Sequence, residues 1–97
     1  MIASVSAEAD RELTEGALFY AREGNAEVAL AFIAEYERVL ELLCAHPELG
    51  APWGSGRRRF PVRKFPYSIV YYVRGEELRV IALAHHRRKP DYWAVRT

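Results

Sequence analysis

Two runs of residues, Tyr67 to Val73 and Leu78 to Ala84, constrain the fold of this chain more than any other feature. Successive side chains of an extended strand point to opposite faces. Tyr67, Ile69, Tyr71 and Val73 therefore share one face of the first run, and Val70 and Tyr72 share the other. The second run is equally apolar, with Arg79 the exception. A strand apolar on both faces belongs in the middle of a sheet. Arg74-Gly75-Glu76-Glu77 joins the two runs and has the make-up of a hairpin turn. Arg57 to Phe65 is a third candidate strand, although Pro61 cannot donate to a ladder. That strand should be interrupted, bulged or free on one side at Pro61. Short connections between consecutive strands give an antiparallel meander, and Ile2 to Val5 offers a short first strand.

The first half of the chain reads as two helices. Ser6 is a good N-cap, because its hydroxyl can accept from a free amide of the first turn. Glu8 and Asp10 follow it, where the helix dipole favours negative charge. Ala9, Leu13, Ala17 and Tyr20 recur at helical spacing, which predicts a helix over about 7–22. Gly24 suits a left-handed C-cap, and Asn25 can cap the next helix. Ala29, Phe32, Tyr36, Val39, Leu40 and Leu43 form the second stripe, which should end at His46-Pro47. So tight a break predicts an antiparallel helical hairpin. Glu12, Glu15, Glu27, Glu37 and Glu41 lie off these stripes and are expected to face solvent. From Glu48 to Gly56, glycines and prolines mark a loop, with Trp53 expected to pack over a core edge or else to contact a partner.

The expected architecture is α+β, one domain over residues 1–97, in the order β-α-α-β-β-β. A helical hairpin covers one face of a small antiparallel sheet. With so few elements, nothing in the chain is left to cover the second face of that sheet.

Charge is divided between the halves. Residues 1–50 carry three arginines against ten carboxylates, a net of −7. Residues 51–97 carry eleven Lys and Arg against three carboxylates, a net of +8. Such a split points to an anionic partner for the basic half. A partly open sheet face edged by Arg57, Arg58, Arg59, Arg63, Lys64 and the His85 to Lys89 run would make a docking surface. One cysteine, Cys44, excludes an internal disulfide framework and a zinc site of paired cysteines. His85 and His86 are neighbours on a strand end and point to opposite faces, so they cannot chelate one ion together. No metal or cofactor is expected. No Gly-x-Ser-x-Gly elbow is present, and Gly54-Ser55-Gly56 lacks the Lys-Ser/Thr of a phosphate loop. No signal-peptide pattern or membrane-spanning run is found, so the expectation is a cytoplasmic protein without a membrane partner. Metal-free RNA cleavage would need a base, an acid and cations. His85, His86 and Arg87, with Arg88, Lys89 and Tyr92 beside them, are the residue types for it, and Tyr92 and Trp93 could stack bases. Arginine, tyrosine and tryptophan also dominate protein–protein hot spots.

Three segments then carry a resemblance. They are Gly54-Ser55-Gly56-Arg57-Arg58-Arg59-Phe60, Phe65-Pro66-Tyr67-Ser68-Ile69-Val70-Tyr71, and Ala82 through His85-His86-Arg87-Arg88 to Trp93. Together with the His46-Pro47-Glu48-Leu49-Gly50 helix ending, the sequence resembles the RelE/ParE toxin superfamily over nearly its whole length. The resemblance implies a type II toxin–antitoxin system, also described as plasmid stabilisation. Growth inhibition would be restrained by a cognate antitoxin whose C-terminal segment wraps the toxin, with operator DNA reached only through the antitoxin. It also implies the α+β fold described above.

Activity divides inside that superfamily. RelE-like members cleave mRNA on the ribosome, whereas ParE-like members inhibit DNA gyrase by binding. The middle-strand arginine of RelE-like members falls on Ser68 here, which removes a cation from the scissile phosphate. The strand-end histidine of some ribosome-dependent members falls near His86, with His85 the alternative. On this resemblance the chain is closer to ParE-like, and more a binder than an enzyme. Arg57, Arg58, Arg59, Arg63, Arg88, Lys89, Tyr92 and Trp93 would contact the target or nucleic acid. The alternatives are a ribosome-dependent mRNA endonuclease using His85, His86 and Arg87, and a toxin-fold protein that has lost toxicity and only binds.

Overall fold

The strand and helix patterns place their elements close to where the residues ask for them. The computed structural model describes residues 1–97. In chain order the elements are β1 (Ile2–Val5), α1 (Ala7–Glu23), α2 (Ala26–Ala45), a 3-10 turn (Pro47–Leu49), β2 (Ala51–Pro52), β3 (Arg58–Val62), β4 (Tyr67–Arg74) and β5 (Glu77–His85). Ser6 caps α1, its Oγ accepting from the Ala9 N–H at 3.1 Å. Asn25 caps α2, its Oδ1 accepting from the Val28 N–H at 2.9 Å. Gly24 does not take the left-handed conformation expected of it, since its φ is −117°. It is small instead because a Cβ there would lie 3.0 Å from the Tyr20 carbonyl oxygen.

The five strands lie in the order β1-β5-β4-β3-β2, so the two most apolar strands are central. β5, β4, β3 and β2 are antiparallel neighbours, as a meander requires. β1 pairs parallel with β5, from Ile2 opposite Glu77 to Val5 opposite Val80, so the sheet is mixed rather than wholly antiparallel. The helical hairpin explains this. α2 returns the chain to the end of the sheet where β1 starts, and the Met1 amino group there donates to the Cys44 carbonyl at 3.4 Å. β5 sets out from that same end and therefore runs alongside β1. β2 reaches only Arg58 and Arg59 of β3, so Pro61 has no strand on its outer side. The missing donor of Pro61 thus leaves no gap in the sheet.

Phe32, Tyr36, Val39 and Leu43 of α2 pack on Ile69, Tyr71, Leu78, Val80 and Leu83 to form the main core between helices and sheet. Between Val70 and Tyr71 the register with β5 shifts, leaving Ile81 as an extra residue. Such a bulge turns two successive side chains to one face. Ile81 and Ala82 accordingly join Val70 on the second face of the sheet.

That second face is not bare. The segment after β5 folds back across it, and Trp93, 5% exposed, completes a second core with Val70, Ile81 and Ala82. Successive turns, Ala94 N–H to Asp91 carbonyl and Arg96 N–H to Trp93 carbonyl, shape this tail. Trp53 packs against Trp93 with ring centroids 6.4 Å apart, as expected of a residue at a core edge.

Candidate functional site

β4 and β5 meet at the end of the sheet away from their hairpin, with Tyr67 opposite His85. On the second face at this end, a cleft of about 90 Å³ opens between Trp53 and the segment after β5. Ser68 and Val70 form its floor, with Arg59 of β3 on one side and His86, Arg88 and Lys89 on the other. The cross-strand pair Arg59–Val70 puts Arg59 on this face.

The two histidines do different things. His86 is exposed, and its Nε2 lies 3.0 Å from Ser68 Oγ. His85 is half-buried, packs edge-on against Tyr67 at 4.9 Å, and accepts the Arg87 N–H at its Nδ1 at 3.0 Å. Burial pushes the His85 pKa down, and the charges of Arg87 and His86 add to this. Arg87 is exposed and does not line the cleft.

The arginines of the Arg57–Arg59 run also separate. Arg57 is half-buried and donates to the carbonyls of Arg96 at 2.7 Å and Ser55 at 3.2 Å. Arg58 donates to the Gly50 carbonyl at 2.7 Å and the Glu48 carbonyl at 3.3 Å. Both tie loops to the sheet. Arg59 alone is exposed in the cleft, with its guanidinium 3.8 Å from the Trp53 ring centroid. Arg63 is exposed in the β3–β4 turn, outside the cleft. Arg88 lies 4.0 Å over the Tyr92 ring. Trp93 is buried, so its indole is a core side chain with no free face for a base.

Tyr92 leads to a residue that the sequence pattern hides. Its hydroxyl donates to Glu12 Oε2 at 2.6 Å. Glu12 Oε1 also accepts from Arg96 at 2.9 Å and from the Leu83 N–H at 3.0 Å. Burial, then the Glu12 carboxylate, push the Tyr92 phenol far above its ordinary value. Glu12 was expected to face solvent, yet its side chain is only 11% exposed. β1 ends opposite Val80, and the Glu12 carboxylate takes the β5 amide just past that end. The signal in the sequence is the spacing Ala9, Glu12, Gly16: both small residues are buried, and Glu12 lies on their face of α1.

The sequence matches the family model for the ParE toxin of type II toxin-antitoxin system, parDE, over residues 4–90. The chain belongs to this family. Among solved structures, a chain of the chromosomal ParDE TA system from P. aeruginosa superposes with a TM-score of 0.79 at 20% identity. The match covers 88% of this chain and 95% of that one, and at this identity it speaks for the fold. A search of curated proteins found no match. As a ParE-family chain it is a type II toxin of a toxin–antitoxin system, with two helices packed on a five-stranded mixed sheet. No helix in it is long and apolar enough to cross a membrane.

Proposed function

We propose that this ParE-family chain is held inactive by a cognate antitoxin and acts by binding DNA gyrase, without cleaving nucleic acid, in the cytoplasm. The contact of Ser68 with His86 in the cleft carries the reading. Backbone cleavage needs a base and an acid placed on the reacting oxygens, and cations on the phosphate. The central strand supplies a hydroxyl at Ser68, and His86 Nε2 is directed at that hydroxyl. His85 Nδ1 is engaged by the Arg87 N–H and its ring packs on Tyr67. Glu12, the carboxylate behind Tyr92, is engaged three times over. Cations without a free acid–base pair suit binding. Arg59, Arg63, Arg88 and Lys89 are exposed and free to make contacts, whereas Arg57, Arg58 and Trp93 hold the surface in shape.

Purified gyrase with purified toxin tests this. Loss of supercoiling with accumulation of trapped, cleaved DNA is expected. Unchanged supercoiling with no trapped cleavage would sink the proposal.

One observation favours a second reading, a ribosome-dependent mRNA endonuclease: His86 shares its cleft with Arg59 and Arg88. Primer extension on a translated message should then show breaks within codons. The His85→Ala/His86→Ala double variant should lose toxicity under that reading and keep it under the first.

A further inference from the structure

The cleft holds cations that have no anion. Arg59, Arg88 and Lys89 line it with His86, and no carboxylate does. The fold forms two ion pairs, Arg38–Glu35 and Arg96–Glu12, and neither involves these residues. Glu12 is turned to other partners, accepting from Leu83, Tyr92 and Arg96, and forms its ion pair with Arg96 and not with Arg88. Glu15 lies in an adjoining groove that shares Arg88, without pairing to it. Two of the cations are held by aromatic rings, Arg59 on Trp53 at 3.8 Å and Arg88 on Tyr92 at 4.0 Å. A guanidinium laid on a ring keeps its planar fork of N–H donors for other partners. Like charges gathered around so small a space repel each other until an anion joins them.

We propose that this cleft is a binding site for a phosphate monoester. Charge selects it: a phosphate monoester carries about −1.5 to −2 at neutral pH. It therefore answers three cations better than a single carboxylate does. The hydroxyl of Ser68 is in the floor, and a proton on His86 Nε2 would be donated to Ser68 Oγ, freeing the Ser68 O–H to donate into the cleft. The rings that could hold a base are already occupied, Trp53 by Arg59 and Tyr92 by Arg88, while Trp93 is buried. The site therefore reads a phosphate and leaves the base unread. A free nucleotide and the terminal phosphate of a strand present the same group, and the experiment separates them.

The intact protein is titrated with inorganic phosphate and, at matched ionic strength, with sodium chloride. Tryptophan emission reports on Trp53 and NMR on the His86 imidazole. Phosphate should bind saturably, and Arg88→Ala and Lys89→Ala should each weaken it about tenfold or more, the size of a lost charge-assisted contact. Lys89 is exposed and only its backbone carbonyl is hydrogen-bonded, accepting the Tyr92 N–H at 3.3 Å, so Lys89→Ala keeps that bond and tests the site without disturbing folding. A mononucleotide is then compared with a short oligonucleotide carrying a 5′-phosphate or a 5′-hydroxyl. Tighter binding of the 5′-phosphorylated strand supports the proposal with a strand end as source. Equal binding of the mononucleotide and that strand supports it with a free nucleotide as source. Three results would overturn it: a response that chloride reproduces, binding unchanged in both variants, or a 5′-hydroxyl strand or glutamate-rich peptide binding as well as the phosphorylated strand. No gyrase is present, so a negative result leaves the gyrase reading where it stood.

Discussion

At the scale of single residues, the chain is decided by close approaches as much as by contacts. Gly50 has an ordinary extended conformation, φ −67° and ψ 141°, so a turn does not explain it. The side chain of Tyr71 explains it. The Tyr71 hydroxyl donates to the Pro47 carbonyl at 2.6 Å and accepts from the Gly50 N–H at 2.9 Å, and a Cβ on Gly50 would lie 2.5 Å from that oxygen. Gly50→Ala should therefore destabilise by about 1–3 kcal/mol through overpacking. Tyr71→Phe should cost a similar amount, about 1–3 kcal/mol, by leaving buried partners unmet. Denaturant unfolding measures both, and a change below about 0.5 kcal/mol in either would contradict the argument. His85 gives a pH prediction. Burial, helped by Arg87 and His86, lowers its pKa in the fold, while Tyr67, Glu15 and Arg88 share its surroundings. The unfolded chain then takes up the proton first as pH falls. Stability from this group is whole above the ordinary value of about 6.5 and is lost as pH drops through the lower folded value. Unfolding midpoints at pH 7.5 and pH 5 should differ less in His85→Gln than in the parent chain. An equal pH dependence would assign the effect to other groups.

At the scale of elements, the helices were legible because their signals are local. The caps at Ser6 and Asn25 and the stripe from Ala29 to Leu43 each depend on residues within one or two turns. Asn25→Ala should cost about 0.5–2 kcal/mol, read as a lower unfolding midpoint, because the Val28 amide loses its acceptor. The two faces of β4 were legible for the same reason: Ile69 and Tyr71 go to the main core and Val70 to the second. What could not be read depends on pairing between distant segments. A strict alternation along β5 would put Ala82 with Val80, and the bulge puts it with Ile81 instead. Four residues of β1 carry no mark of their parallel direction, which the return of α2 decides. The candidate site divides in the same way. Its cationic character was visible in composition, and Ser68 in the central strand was visible from the motif. The use of Arg57 and Arg58 as ties to backbone carbonyls was not, because their acceptors lie in loops whose course no local pattern gives. Trp93 read as a contact residue only because nothing in the pattern places a tail across the sheet.

At the scale of the whole molecule, the tail joins the two oppositely charged halves. Arg96 of the basic half meets Glu12 of the acidic half, and the same carboxylate holds Tyr92. Arg57 donates to the Arg96 carbonyl and so fastens the tail to the start of β3. Tyr72 and Arg79 both donate to the Thr97 carbonyl, at 3.0 Å and 3.2 Å, from the sheet beneath. These polar ties cross a surface whose apolar centre is Trp93 on Val70, Ile81 and Ala82. If that centre is a true second core, Trp93→Ala should cost about 3–5 kcal/mol, the range for emptying a buried aromatic site. Domains of this size have total stabilities of about 5–15 kcal/mol, so the variant should unfold at markedly lower denaturant. Val95, 93% exposed in the same tail, is the control, and Val95→Ala should stay within about 0.5 kcal/mol of the parent. Guanidinium unfolding followed by circular dichroism, with folding of each variant confirmed first, measures the difference. A cost below about 1 kcal/mol for Trp93→Ala would mean that the tail rests on the sheet without stabilising it. The wall of the cleft formed by Trp53, Tyr92 and Arg88 would then have no fixed support. The expected cost makes the tail part of the fold, with the cleft built on a rigid base at its edge.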